Sequence, residues 1–252
     1  MGDPFRLDGQ VALVTGANKG LGQGMALALA HAGADIAALG RSEPADTARE
    51  VARLGRRLHW IECGLAPPAA VDSAVEAAFA QCGRIDVLVN NAGTIRRASA
   101  LEYSEADWDA VNDLNLKAAF FLAQSVARRW VAAGRGGKII NVVSMLSFQG
   151  GVRTAAYTAS KSALLGITRL LCNEWAPLKI NVNAIAPGYM ATDNTELLRQ
   201  DEVRSREILG RIPAGRWGTP HDLGGAAVFL ASAASDYVNG VVLPVDGGWL
   251  AR

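Results

Sequence analysis

The chain has little of what metal sites and nucleic-acid surfaces are usually built from. Its three histidines, His31, His59 and His221, stand alone in the sequence. Its three cysteines, Cys63, Cys82 and Cys172, are odd in number and widely spaced. Neither set has the spacing of a metal site or a disulfide framework, so no metal is expected and a reducing compartment is. The net formal charge is +1, with no basic or acidic tail, which excludes the field that nucleic acid requires. The uncharged run 139–152 contains Asn141, Ser144 and Gln149 and is too short to span a bilayer. Residues 1–9 lack the apolar region of a secretion signal. The expectation is a soluble cytoplasmic protein with neither a nucleic-acid nor a membrane partner.

What is present is an alternation. Half of the 252 residues are hydrophobic, enough for a sizeable core. Short apolar runs at 11–14, 35–39, 59–61, 85–89, 139–143, 180–185 and 241–245 read as buried strands. Helical patterns at 23–32, 44–54, 69–81, 105–133, 155–175 and 222–233 lie between them, with a break expected near 112–115. A polar, charge-rich helical segment, 192–211, reads as an insertion. No repeat, linker or low-complexity stretch divides the chain. The predicted fold is α/β: one doubly wound domain, residues 1–252, with a seven-stranded parallel sheet and helices on both faces.

The chemistry-bearing stretches fall just after predicted strands, where ligands bind in such folds. The first is Thr15-Gly16-Ala17-Asn18-Lys19-Gly20-Leu21-Gly22, between a strand and a helix. Glycines there let backbone N–H groups approach a pyrophosphate, and the helix N-terminus favours its charge. The second is Asn90-Asn91-Ala92-Gly93, and a third is Pro187-Gly188. Ser144 ends the fifth strand, and Tyr157 and Lys161 follow four residues apart on one helix face. An ammonium beside a phenol favours the phenolate, and such a pair can exchange a proton with an alcohol or ketone. It cannot accept a hydride, so a dinucleotide cofactor is expected.

These motifs, in this order and spacing, resemble the classical short-chain dehydrogenase/reductase family along essentially the whole chain. The resemblance implies roles. Tyr157 would be the general acid/base, Ser144 would orient the substrate oxygen, and Asn115 would hold a water in the proton relay. Lys161 would hold the nicotinamide ribose and lower the Tyr157 pKa. Gly16, Asn18, Lys19, Gly20, Leu21, Gly22, Arg41, Ser42, Gly64, Leu65, Asn90, Ala92, Gly93, Pro187, Gly188 and Thr192 would line the cofactor site. The family's tetramers imply a homotetramer here. A non-catalytic dinucleotide sensor is the alternative from another class, but Tyr157, Lys161, Ser144 and Asn115 are all kept.

The variable stretches 94–97, 144–153, 186–195 and 211–218 and the ending at 245–252 look like family members that oxidise sugar acids. The side chains agree. Arg153, between Ser144 and Tyr157, and Arg96 and Arg97, after Gly93, could clamp a carboxylate through paired hydrogen bonds. Met145, Gln149 and Trp217 are further candidates for the substrate site. The nicotinamide is left open between NADP and NAD. After the second strand stands Gly40-Arg41-Ser42 in place of the carboxylate that binds a ribose 2′-hydroxyl. Arg41 and Lys19 thus favour NADP, whereas the resembling enzymes favour NAD. Relatives also usually carry Asp where this chain has Gly64, which weakens the expected contact to adenine.

Overall fold

The computed structural model describes residues 2–65 and 68–251. Its seven strands are β1 (Val11–Thr15), β2 (Asp35–Gly40), β3 (Leu58–Glu62), β4 (Val87–Asn90), β5 (Gly137–Val142), β6 (Ile180–Pro187) and β7 (Val242–Val245). They form one parallel sheet in the order β3-β2-β1-β4-β5-β6-β7. The order reverses between β1 and β4, the crevice where doubly wound sheets bind ligands. The connecting helices are α1 (Gly20–His31), α2 (Ala45–Arg53), α3 (Pro68–Cys82), α4 (Glu105–Asn112), α5 (Ala118–Ala132) and α6 (Ala155–Trp175). Segment 192–211 holds α7 (Glu196–Gln200) and α8 (Glu202–Arg211), and α9 (Gly224–Ala231) precedes β7. No helix among the described residues is long and apolar enough to cross a membrane.

Period-two alternation assigns the two cores. Val11, Leu13, Leu88 and Ile139 face α3, α5 and the end of α6. Ala12, Val14, Val87, Val89, Ile140 and Val142 face α1 and α9. Both faces are covered, as all-parallel sheets require. Gly137 allows one close approach: a Cβ there would lie 2.5 Å from the Trp130 ring. That indole is itself fully buried, and its Nε1 donates to Ile85 O at 2.7 Å.

The expected helix at 105–133 is broken where anticipated, by a π turn over Asp113–Lys117. Such turns concentrate at functional sites, and this one carries Asn115. Ser104 starts the element by accepting from Asp107 N at 3.1 Å, an ordinary N-cap. The 222–233 helix is shorter than expected, because Pro220–Leu223 form a 3-10 turn before α9.

A buried polar chain fixes α6 to the sheet. Asn90 Nδ2 donates to Asn141 Oδ1 at 2.9 Å, joining β4 to β5. Asn141 Nδ2 donates to Thr168 Oγ1 at 3.0 Å, joining β5 to α6. Thr168 Oγ1 donates onward to Leu164 O at 2.8 Å. All three side chains are nearly inaccessible, so losing the central partner strands two buried groups. Replacing Asn141→Leu should lower unfolding stability by about 2–4 kcal/mol, read as a fall in urea midpoint. A loss below about 0.5 kcal/mol would contradict the load assigned to this chain.

Candidate active site

The cleft has a volume of about 580 Å³ and lies along the carboxyl ends of the strands. At one end is the glycine turn. Gly16 and Gly20 adopt φ of +68° and +56°, which L side chains rarely accept. Gly22 is needed for space, since a Cβ there would sit 2.2 Å from Gly16 O. α1 starts without a side-chain cap and without an acidic residue in its first turn. Its first N–H groups are therefore available to an anion, and the helix dipole favours one. The turn fits a pyrophosphate. Asn18, Lys19, Leu21, Arg41, Ser42, Leu65 and Gly93 line the cleft with it, and Ala92 lies beside Gly16, where a Cβ would come within 3.5 Å of Ala92 Cα.

At the other end stand Ser144, Tyr157 and Lys161. β5 ends at Val142, so Ser144 follows the strand by two residues and its Oγ accepts from Leu146 N at 3.1 Å. α6 begins at Ala155, which puts Tyr157 in its first turn and Lys161 one turn later. Ser147 Oγ donates to Lys161 O at 2.8 Å and ties the two segments together. The Lys161 ammonium is buried and donates to Val142 O at 2.6 Å. Its Nζ lies 5.9 Å from the centre of the Tyr157 ring. Pro187, Gly188 and Thr192 complete this end of the cleft.

The electrostatics differ from the sequence expectation. Burial pushes the Tyr157 phenol above its ordinary value, while a hydrogen bond with Ser144 and the Arg97 charge pull it down. Burial also lowers Lys161, from 10.5 to about 8. Desolvation therefore outweighs the Ser144 hydrogen bond and the Arg97 charge, and the phenol is raised where a lowering by Lys161 was expected.

Some named residues do not reach the cleft wall. The Asn90 side chain turns into the core, donating to Ala119 O at 3.1 Å as well as to Asn141. Its neighbour Asn91, part of the same stretch but given no individual role from the sequence, lines the cleft instead and donates to Thr15 O at 2.9 Å. The repeated Asn in Asn90-Asn91 held the signal, and only strand register decides which one faces the ligand. The Asn115 amide is fully engaged: its Oδ1 accepts from Thr94 N at 2.8 Å, and its Nδ2 donates to Thr94 O and Ser160 Oγ. Lys19 is paired with Asp193, Nζ to Oδ2 at 2.6 Å. Gly64 is flanked by cleft residues Cys63 and Leu65, and a Cβ there would meet nothing within 4 Å. The first atom of the missing Asp side chain would thus meet none of the described residues.

The substrate candidates separate in the same way. Met145 is buried with Ile208, Ile212 and Trp249, and Trp217 packs at the edge of that cluster. Arg96 pairs with Asp107 at 3.5 Å. Arg97 donates to Asn194 O at 3.1 Å, and its charge acts on Tyr157. Gln149 accepts from Arg211 at 3.5 Å. Arg153 holds a left-handed φ of +62°, and its carbonyl accepts from Ala98 N at 3.2 Å, joining the two loops beside the cleft.

The family described as enoyl-(acyl carrier protein) reductase matches residues 16–250. A 2-dehydro-3-deoxy-D-gluconate 5-dehydrogenase from Dickeya dadantii is 60% identical over 98% of each chain. The chain belongs to the short-chain dehydrogenases/reductases. It is an oxidoreductase of that family. A structure provisionally named 2-deoxy-D-gluconate 3-dehydrogenase, from Agrobacterium tumefaciens and with bound NADP, superposes with a TM-score of 0.95 at 53% identity, covering 100% of both chains. A gluconate 5-dehydrogenase from Burkholderia cenocepacia, in complex with NADP and tartrate, gives 0.95 at 43% identity, covering 99% of this chain and 98% of that one.

The lysine provides a test of the electrostatics. A buried ammonium whose pKa falls from 10.5 to about 8 destabilises the fold by at most about 3 kcal/mol. The penalty is complete below pH 8. It shrinks as pH rises towards 10.5, because only the unfolded chain then keeps the proton. Lys161→Met should therefore match or exceed the wild-type Tm at pH 7 while losing turnover, and its advantage should shrink above pH 8. A large Tm loss at pH 7 would contradict the assignment.

Proposed function

We propose that the protein is a nicotinamide-dependent dehydrogenase of a sugar acid, 2-dehydro-3-deoxy-D-gluconate 5-dehydrogenase, using NADP or NAD. The single observation that carries the substrate is the 60% identity across 98% of both chains with an enzyme of that name. Gluconate 5-dehydrogenase is the second reading, favoured by the close fit to the structure of that name.

The geometry supports the following roles. When bound, the nicotinamide accepts or returns the hydride. In oxidation, Tyr157 as phenolate takes the proton of the substrate hydroxyl, and the Ser144 hydroxyl holds the same oxygen. Together they stabilise the charge that develops there. Lys161 spends one N–H on Val142 O and keeps two for the cleft, where a bound ribose would meet them. Its charge then assists the phenolate. Asn115 acts mainly by posture: its amide fixes Thr94 and the loop after β4, so any water it holds must use its main chain. Arg97 is the arginine we assign to the substrate carboxylate, because it is held to Asn194 O at the edge of the cleft and its charge also reaches the Tyr157 phenol.

Segment 192–211 serves as the substrate loop. The working form is a cytoplasmic homotetramer, with an apolar groove between α5 and α6, lined by Phe120, Val131, Leu170 and Leu178, covered by a second copy. Its three cysteines are free, which suits a reducing compartment. Light scattering reads the assembly, and the mass of a single chain would contradict it.

The experiment is a rate matrix. 2-Dehydro-3-deoxygluconate, 2-deoxygluconate and gluconate are each offered with NAD and with NADP while reduced-cofactor absorbance is followed. Turnover of the deoxy acids is expected to dominate. Turnover of gluconate alone selects the second reading, and no turnover removes both substrates. Tyr157→Phe should lose about 10²–10⁴-fold in kcat with its fold intact. Arg97→Ala should raise KM for the acid without changing dinucleotide Kd.

A further inference from the structure

Two cations were expected to face a 2′-phosphate, and the structure treats them differently. Arg41 lines the cleft and forms no ion pair among the described residues. Lys19 lines the same end but reaches across the mouth to Asp193, at 2.6 Å. Asp193 opens the substrate loop, next to Thr192, and also lines the cleft. The two segments are already close: a Cβ on Gly20 would lie 3.8 Å from Thr192 Cγ2. The partners are separated by 174 positions in the chain, so this contact is made by the closed fold and not by local sequence.

We infer that Asp193 is a cofactor-selectivity residue acting through Lys19. While the pair holds, Lys19 is turned towards a carboxylate, and only Arg41 remains to meet a 2′-phosphate. NADP must win Lys19 from Asp193, whereas NAD leaves the pair intact. The two nucleotides are thereby brought closer in affinity than Arg41 and Lys19 together would allow. Both side chains are about 70% exposed, so the pair is modest and salt-sensitive. That suits a contact that exchanges during binding. Arg199 lies on the same segment, donates to Thr192 O at 3.3 Å and adds to the positive field on Asp193. It is the alternative route by which Asp193 could act.

The inference rests on the dinucleotide reading, and the test separates the two. Kd values for NADPH and NADH are measured by nucleotide fluorescence on the purified full chain at low and high salt. Asp193→Asn should tighten NADPH by about fivefold at low salt, leave NADH within about twofold, and lose the difference at high salt. The gain should vanish in the Lys19→Met background, and Asp193→Glu should restore the wild-type ratio. An unchanged NADPH-to-NADH ratio would overturn the inference, as would equal weakening of both nucleotides. A gain that persists without Lys19 assigns the effect to Arg199 and overturns the role of Lys19. Failure of the wild type to bind either nucleotide overturns the dinucleotide reading and this inference with it.

Discussion

The site depends on one buried ammonium. Lys161 sits where β5 ends, with its Nζ on Val142 O and almost no access to solvent. An ammonium is expensive to bury, and here the cost shows as a pKa lowered to about 8. Only a rigid surround sustains such a placement. The surround consists of the Asn90–Asn141–Thr168 chain on the sheet side and Ser147 on the loop side. A strand end supplies the carbonyl, a helix supplies the lysine, and the polar chain sets their relative height. Tyr157, one turn earlier on α6, is placed by the same constraints.

Much of this was legible in the sequence. Parallel strands buried on both faces read as short apolar runs, and all seven were found. A break in the long helix was expected near 112–115, and the π turn over Asp113–Lys117 overlaps it. The four-residue spacing of Tyr157 and Lys161 placed them on one face because helical geometry is local. Other features were hidden because they are set by tertiary contacts. Register alone turns Asn90 inward and leaves Asn91 in the cleft. The partner of Lys19 is far away in sequence, so its charge looked available when read locally. The Tyr157 phenol is raised because desolvation, which no sequence spacing reports, outweighs the charges near it.

The same contrast separates chemistry from selectivity. Ser144 and Lys161 are buried and bonded to neighbouring elements, and Tyr157 is half-buried at the cleft one turn before Lys161. The charged groups we propose to distinguish ligands, Arg41, Lys19, Asp193, Arg97 and Arg153, are all exposed. Exposed charges exchange partners cheaply, so specificity can change with few consequences for the fold. Gly64 illustrates this: a Cβ there would meet none of the described residues, so their packing does not demand a glycine.

We propose that Tyr157 becomes a base only when the cleft is filled and Lys161 is brought into use. The direct measurement is an ultraviolet difference titration of wild type against Tyr157→Phe, with and without bound dinucleotide. In the free protein the Tyr157 signal should titrate above the ordinary value of about 10, and with dinucleotide it should fall below that value. A phenol already ionising well below 10 in the free protein, or one that does not move on binding, would contradict the account.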